Sequence, residues 1–148
     1  VIKGYLNRPE ATAQEITDGW LHTGDVAYMD GDEFIYLVDR AKDMVLRGGE
    51  NVYCAEVESA LFEHESVAEC VVFGVEDERL GEEVAAAIYL TQVGSADTEG
   101  LRAYLREKLS SYKIPRYIWL VDAPLPRNAN GKFVKREVRD LLDLADAQ

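Results

Sequence analysis

Cysteine and histidine are scarce in this chain, with two of each in 148 residues. Cys54 and Cys70 lie far apart in different segments. That leaves no basis for a disulfide framework and points to reduced thiols in a cytoplasmic compartment. A structural zinc site needs clustered Cys and His, and none is present, so no metal site is expected. No apolar run approaches the roughly 20 residues that span a bilayer, and no signal-peptide pattern occurs. Positive charge is also in short supply: 16 Lys and Arg against 28 Asp and Glu give a net charge of −12. Nucleic acid and anionic membranes are therefore poor candidates for the main partner. A phosphate-bearing ligand would have to be met by local lysines, glycine amides or a metal.

What is present is ordinary for a globular protein, at 47% hydrophobic and 30% charged residues. The chain starts at Val1, not Met, and in mid-pattern, so it is expected to be a piece of a longer one. Residues 10–15 look helical, Asp18-Gly19 makes a turn, and residues 20–22 begin a strand with Trp20 as a packing residue. Residues 34–38 are rich in aromatic and branched side chains and form a strand after the Asp30-Gly31-Asp32 turn. Residues 1–41 are too short and open for a domain and read as the last β-hairpins of a larger one.

From residue 42 the pattern becomes self-contained. Apolar spacing predicts a helix over 55–64, buried strands over 67–75 and 83–90 with a polar connection between, and a helix capped by Asp97 or Thr98. Residues 117–121 form a third strand, a loop with Pro124, Pro126 and Gly131 follows, and a helix over about 134–144 precedes a fraying tail. The fold class is α/β (α+β): a mixed three-stranded sheet with flanking helices and a leading β-hairpin.

The most informative stretch runs from Thr23 to Asn51, TGDVAYMDGDEFIYLVDRAKDMVLRGGEN. It joins a Thr-Gly-Asp turn, a hairpin, a charged break at 39–43 and the Arg47-Gly48-Gly49 turn, where adjacent glycines accept φ > 0 and offer bare backbone. Each piece alone is ordinary turn chemistry. In this order, together with Gly4–Thr12 before it and Pro126-Arg127-Asn128-Ala129-Asn130-Gly131-Lys132 after it, the string resembles the adenylate-forming superfamily of acyl-CoA synthetases, adenylation domains and luciferases. The resemblance covers essentially the whole chain. It implies that residues 1–41 end a large N-terminal domain and that 42–148 form a mobile C-terminal domain.

The resemblance also implies roles for particular residues. Lys132 would bridge the substrate carboxylate and the α-phosphate during adenylation, where a fixed ammonium suits gathering negative charge. Asp25 and Arg40 would contact the ribose of ATP or AMP, Lys42 would be the hinge, and Gly48 and Gly49 would line the pantetheine channel. ATP, Mg2+ and coenzyme A follow as substrates of the full-length ligase, along with a carboxylic acid and the missing N-terminal domain as partners. The fragment alone is expected to be inactive. One departure is Asn130, where the family usually has Ser or Thr. Cys54 is another, replacing a common proline.

Plainer readings exist for several of these residues. Lys132 could be a solvated lysine near a helix start, though the helix dipole disfavours a cation there. Arg40 could pair with Asp39 or Asp43 at the surface, Gly48-Gly49 could be only a hairpin turn, and Glu56 and Glu58 read as capping and solvation. At the level of the whole chain, the rivals are an adenylation domain loading a carrier protein's phosphopantetheine and a non-catalytic α/β interaction module.

Overall fold

A computed structural model describes residues 2–148. The chain forms two compact units, Val1–Lys42 and Asp43–Gln148.

The first unit is a series of small two-stranded pieces. Helix α1, Pro9–Glu15, has proline in its first turn, where the missing N–H costs nothing. Strands β1 (Ile16–Thr17) and β2 (Trp20–Leu21) pair around Asp18-Gly19, both with positive φ. Strands β3 (Asp25–Met29) and β4 (Ile35–Arg40) form an antiparallel hairpin with a bulge at Val26/Ala27. Asp30 closes its turn by accepting from the Asp32 and Phe34 amides. Tyr28 and Tyr36 face each other in register and stack at 4.9 Å. Trp20 is not a packing residue within this unit: it is 78% exposed, because the short ladder turns it outward. Phe34, Ile35 and Leu37 are likewise exposed.

The second unit has one sheet with a core on both faces. Strands β5 (Val45–Arg47) and β6 (Glu50–Val52) make the leading hairpin. Helix α2 (Cys54–Phe62) follows, then the long antiparallel pair β7 (Val67–Asp77) and β8 (Gly81–Leu90). Helix α3 (Thr98–Arg106) carries the chain over to β9 (Tyr117–Val121), which lies parallel to β8. A parallel partner needs such a crossover. The β5–β6 hairpin joins the sheet where Arg47 pairs with Gly81. Helix α4 (Lys135–Asp140) closes the other face.

The continuous apolar runs of β7 and β8 follow from burial on both sides. Cys70, Val72, Val84, Ala86 and Ile88 meet α2 and α3 through Val57, Leu61, Leu101 and Leu105. Val71, Phe73, Ala85 and Ala87 meet Trp119, Leu125 and Val138. The alanines leave room for the two large rings, which lie 6.0 Å apart. Asp97 caps α3 by accepting from Gly100 N at 2.7 Å.

Three local expectations are corrected. Residues 76–81 are not a loose connection, because β7 and β8 run on to Asp77 and Gly81 and only 78–80 turn. The last helix is shorter than 134–144: Val134 is held out of helical geometry by donating to Pro126 O at 3.1 Å, and the helix ends at Asp140. The tail does not fray. Gln148 exchanges two backbone hydrogen bonds with Ile118 on the open edge of β9, and Arg102 donates to its carbonyl.

Candidate functional site

In the first unit, Thr23-Gly24-Asp25 is a tight turn. The Thr23 hydroxyl accepts from Asp25 N at 3.2 Å, Gly24 takes φ +73°, and Gly24 O accepts from Ala41 N. The β3–β4 register puts Asp25 opposite Arg40, and Arg40 Nε lies 3.3 Å from Asp25 Oδ1. The ion-pair partner of Arg40 is thus Asp25, not Asp39 or Asp43; Asp39 instead accepts from the Arg40 amide. An exposed pair of this kind adds about 0–1 kcal/mol to stability. It lines an open cleft of about 500 Å³ with Tyr5, His22, Thr23 and Lys42. A carboxylate there can accept from two vicinal hydroxyls while the guanidinium donates beside it. Lys42 is exposed at the last position of this unit.

In the second unit, Gly48 (φ +59°) and Gly49 (φ +91°) form the two-residue turn between β5 and β6. Two positive φ values match the right-handed twist of a hairpin. A side chain at Gly49 would meet nothing within 4 Å, so its backbone faces open space, whereas one at Gly48 would crowd Leu80. The turn is tied to the sheet three ways. Gly48 N donates to Leu80 O at 2.8 Å, Leu46 N donates to Glu82, and the Arg47 guanidinium makes a two-point pair with the Glu83 carboxylate. Glu83 is 1% exposed, and Arg116 lies 3.7 Å from it. The hydrogen bond to Glu83, above all, raises the Arg47 pKa against the opposing effect of burial, with the charges of Glu83 and Asp77 adding to it.

Lys132 stands on a second turn. Residues 126–134 fold into a miniature hairpin in which Arg127 bridges Phe133 and Gly131 takes φ +77°. Asn128 organises it: its carboxamide oxygen accepts from the amides of Asn130 and Lys132, both at 3.0 Å. Asn130, the departure from the family pattern, therefore contributes an amide rather than its side chain, and the turn forms. Lys132 is exposed, and among the described residues its ammonium has no hydrogen-bond or ion-pair partner.

Several side chains have partners that the sequence does not reveal. Glu58 is not merely solvated: it accepts from Val72 N and pairs with Lys135 at 3.0 Å. Glu56 holds Lys113. Lys135 is largely withdrawn from solvent and also donates to Val72 O. Burial works against its charge, yet the nearby Cys54, Glu58 and Asp43 raise its pKa overall. Burial pushes the Cys70 thiol well above its ordinary range, which makes it a packing group and not a nucleophile. Carboxylates inside otherwise apolar strands, Glu69 in β7 and Glu83 in β8, were the available signal: such charges need partners. Among the described residues, no three His, Cys, Asp or Glu side chains gather as a metal site, and no helix is long and apolar enough to cross a membrane.

Comparison with known proteins fits this arrangement. Residues 56–132 match the family described as AMP-binding enzyme C-terminal domain, a little over half of the chain. The chain is 49% identical to the 2-succinylbenzoate–CoA ligase of Geobacillus kaustophilus over 96% of its own length and 29% of the ligase. It is 47% identical to a long-chain-fatty-acid–CoA ligase of Bacillus subtilis, over 93% of itself and 24% of that protein. Its structure is similar, with a TM-score of 0.88 and 40% identity, to the o-succinylbenzoate CoA synthetase of Bacillus subtilis in complex with its acyl-adenylate intermediate, over 96% of this chain and 29% of that one. The chain thus spans under a third of the length of these relatives. With the family's residues matched and its fold reproduced, the chain belongs to the AMP-binding enzyme C-terminal domain family.

Proposed function

We propose that this chain is the C-terminal portion of an ATP-dependent acyl-CoA synthetase. The carboxylate oxygen of an acid attacks the α-phosphorus of ATP, pyrophosphate leaves, and the acyl-adenylate forms. The thiol sulfur of coenzyme A then attacks the acyl carbonyl, the thiol proton is lost, and AMP leaves. In this reading Val1–Lys42 ends the large domain and Asp43–Gln148 is the domain that moves, with Lys42 as the hinge. Hinges absorb large φ/ψ changes at element ends, and an exposed turn between two compact units suits that.

The observation that carries the proposal is the state of Lys132. Among the described residues its ammonium is unpaired, and it is raised on a turn whose own Lys132 and Asn130 amides are tied to the Asn128 side chain, as suits a group aimed at an anion. Two negatively charged reactants meet in adenylation, and a preset cation stabilises the charge that collects between them. Asp25 would accept the ribose hydroxyls, with Arg40 beside it. Gly48 and Gly49 would let the pantetheine arm pass against backbone, since Gly49 faces open space. Mg2+ would arrive on the phosphates of ATP as part of the substrate.

The relatives' names join different acids to the same acceptor: a succinylbenzoate in one and a long-chain fatty acid in another, each with coenzyme A. That favours coenzyme A over a carrier protein and leaves the acid to the part of the enzyme outside this chain. We place the enzyme in the cytoplasm, where ATP and coenzyme A are found. The test is a pair of assays on the full-length enzyme: acid-dependent pyrophosphate exchange, and thioester release with coenzyme A or a carrier protein as acceptor. Exchange with coenzyme A thioester as product supports the proposal; the absence of exchange with every acid tried, or transfer only to a carrier, contradicts it. The 148-residue chain alone should form no acyl-CoA.

A further inference from the structure

We propose that Arg127 is a positioning residue for Lys132, held in place by Glu69. The proposal rests on the adenylation role assigned to Lys132 above. One guanidinium reaches both neighbours of the lysine. Arg127 Nη1 donates to Gly131 O at 2.8 Å, and Arg127 Cζ lies over the Phe133 ring, 3.8 Å from its centre. Its other amine, Nη2, donates to Glu69 Oε1 at 3.0 Å, while Glu69 Oε2 accepts from Leu125 N at 2.7 Å. Glu69 belongs to β7, the long edge strand paired along its length with β8, and is mostly buried, at 18% exposed. The rigid sheet therefore grips both the entry to the turn and the arginine, and the arginine grips the residue before and the residue after Lys132.

An arginine is suited to this and a lysine is not. The planar fork donates in two fixed directions and stacks its flat face at once. The arrangement does little for stability, because Arg127 is 43% exposed and such pairs add little. What it does fix is direction. Lys132 has a long flexible stem and no partner of its own, so a small tilt of residues 131–133 displaces the ammonium by an ångström or more. Misplacement on that scale costs roughly 10²-fold in a reaction that depends on orientation.

The test is a double-mutant cycle in the full-length enzyme. Pyrophosphate exchange measures adenylation, and thioester formation from preformed acyl-adenylate measures the later step. Arg127→Ala should lower the adenylation kcat by roughly ten- to a hundredfold, with the KM for ATP and the thioester step within about twofold of wild type. Arg127→Lys should recover only part of the loss. In a Lys132→Ala background, Arg127→Ala should remove nothing further, because the group it positions is gone. Glu69→Gln, which keeps an acceptor for Leu125 N, should show a smaller loss in the same step. Equal losses in both backgrounds, parallel loss of both half-reactions, or full activity in Arg127→Lys would overturn the positioning role. If Lys132→Ala abolishes adenylation while Arg127→Ala leaves it intact, the positioning role alone fails. If Lys132→Ala leaves adenylation intact, the assignment of Lys132 fails and the role of Arg127 with it.

Discussion

Residues 47–50 and residues 126–133 are both short turns that leave the sheet of the second unit, and each is tied to it by an arginine on a glutamate. The two ties differ in depth. Glu83 is 1% exposed and meets two arginines, whereas the Arg127–Glu69 pair sits near the surface with 43% and 18% exposure. A buried charge that loses its partner is strongly destabilising, while a surface pair adds little. The glycine turn is therefore built into the fold itself, and the lysine turn is an attachment whose pair serves direction rather than stability. The proposed roles fit this difference: a turn that only presents backbone to a passing arm can be part of the core, while a turn that aims one ammonium needs fine control of its tip.

The largest effect that would break this contrast is expected at Arg47. Arg47→Met should destabilise the 148-residue chain by about 3–5 kcal/mol, because Glu83 is left buried with only the more distant Arg116. Urea unfolding gives the value. A loss as small as that of Arg127→Ala, expected below about 1 kcal/mol, would erase the distinction between the two ties.

Next in size is the proposed hinge. Lys42→Pro fixes φ near −65° at the boundary of the two units. In the full-length enzyme thioester formation should fall on the order of 10²-fold with pyrophosphate exchange largely kept. Equal loss of both would mean misfolding, and normal thioester release would remove Lys42 from the mechanism.

The smallest effect is a pH response beside the glycine turn. Asp77 accepts from the Leu80 and Arg79 amides, and these bonds, led by that of Leu80, hold its carboxyl below the usual range. A depressed folded value means its contribution is complete above the ordinary carboxylate range and is lost as pH falls through the lower folded value. Since Leu80 O receives the Gly48 amide, the Leu80 and Gly48 resonances should shift together only in strongly acidic solution. A midpoint above the ordinary range would contradict this.

Much of this was legible in the chain. The strand over 117–121, the cap at Asp97 and the hairpin before α2 follow from local pattern, because each depends on neighbours in sequence. The proposed roles of Lys132, Asp25 and Gly48-Gly49 come from the order of motifs, and no single spacing suggests them. What stayed hidden depends on distant partners. The pinned tail needs Ile118, thirty residues away in the chain, and Glu58, Glu69 and Glu83 acquire meaning only once Lys135, Arg127 and Arg47 are beside them. Surface-looking charges give no local sign of which partner the fold will bring.

The central claim is that the two turns serve different half-reactions, and the most direct measurement crosses them. In the full-length enzyme, Lys132→Ala and Gly49→Leu are each assayed by pyrophosphate exchange and by thioester formation from preformed acyl-adenylate. Gly49 carries φ +91° and faces open space, so leucine there strains the backbone and fills the approach. The account predicts crossed losses: about 10²–10³-fold in exchange for Lys132→Ala with the thioester step kept, and the reverse for Gly49→Leu. Parallel losses in both variants, or unchanged exchange in Lys132→Ala, would contradict it.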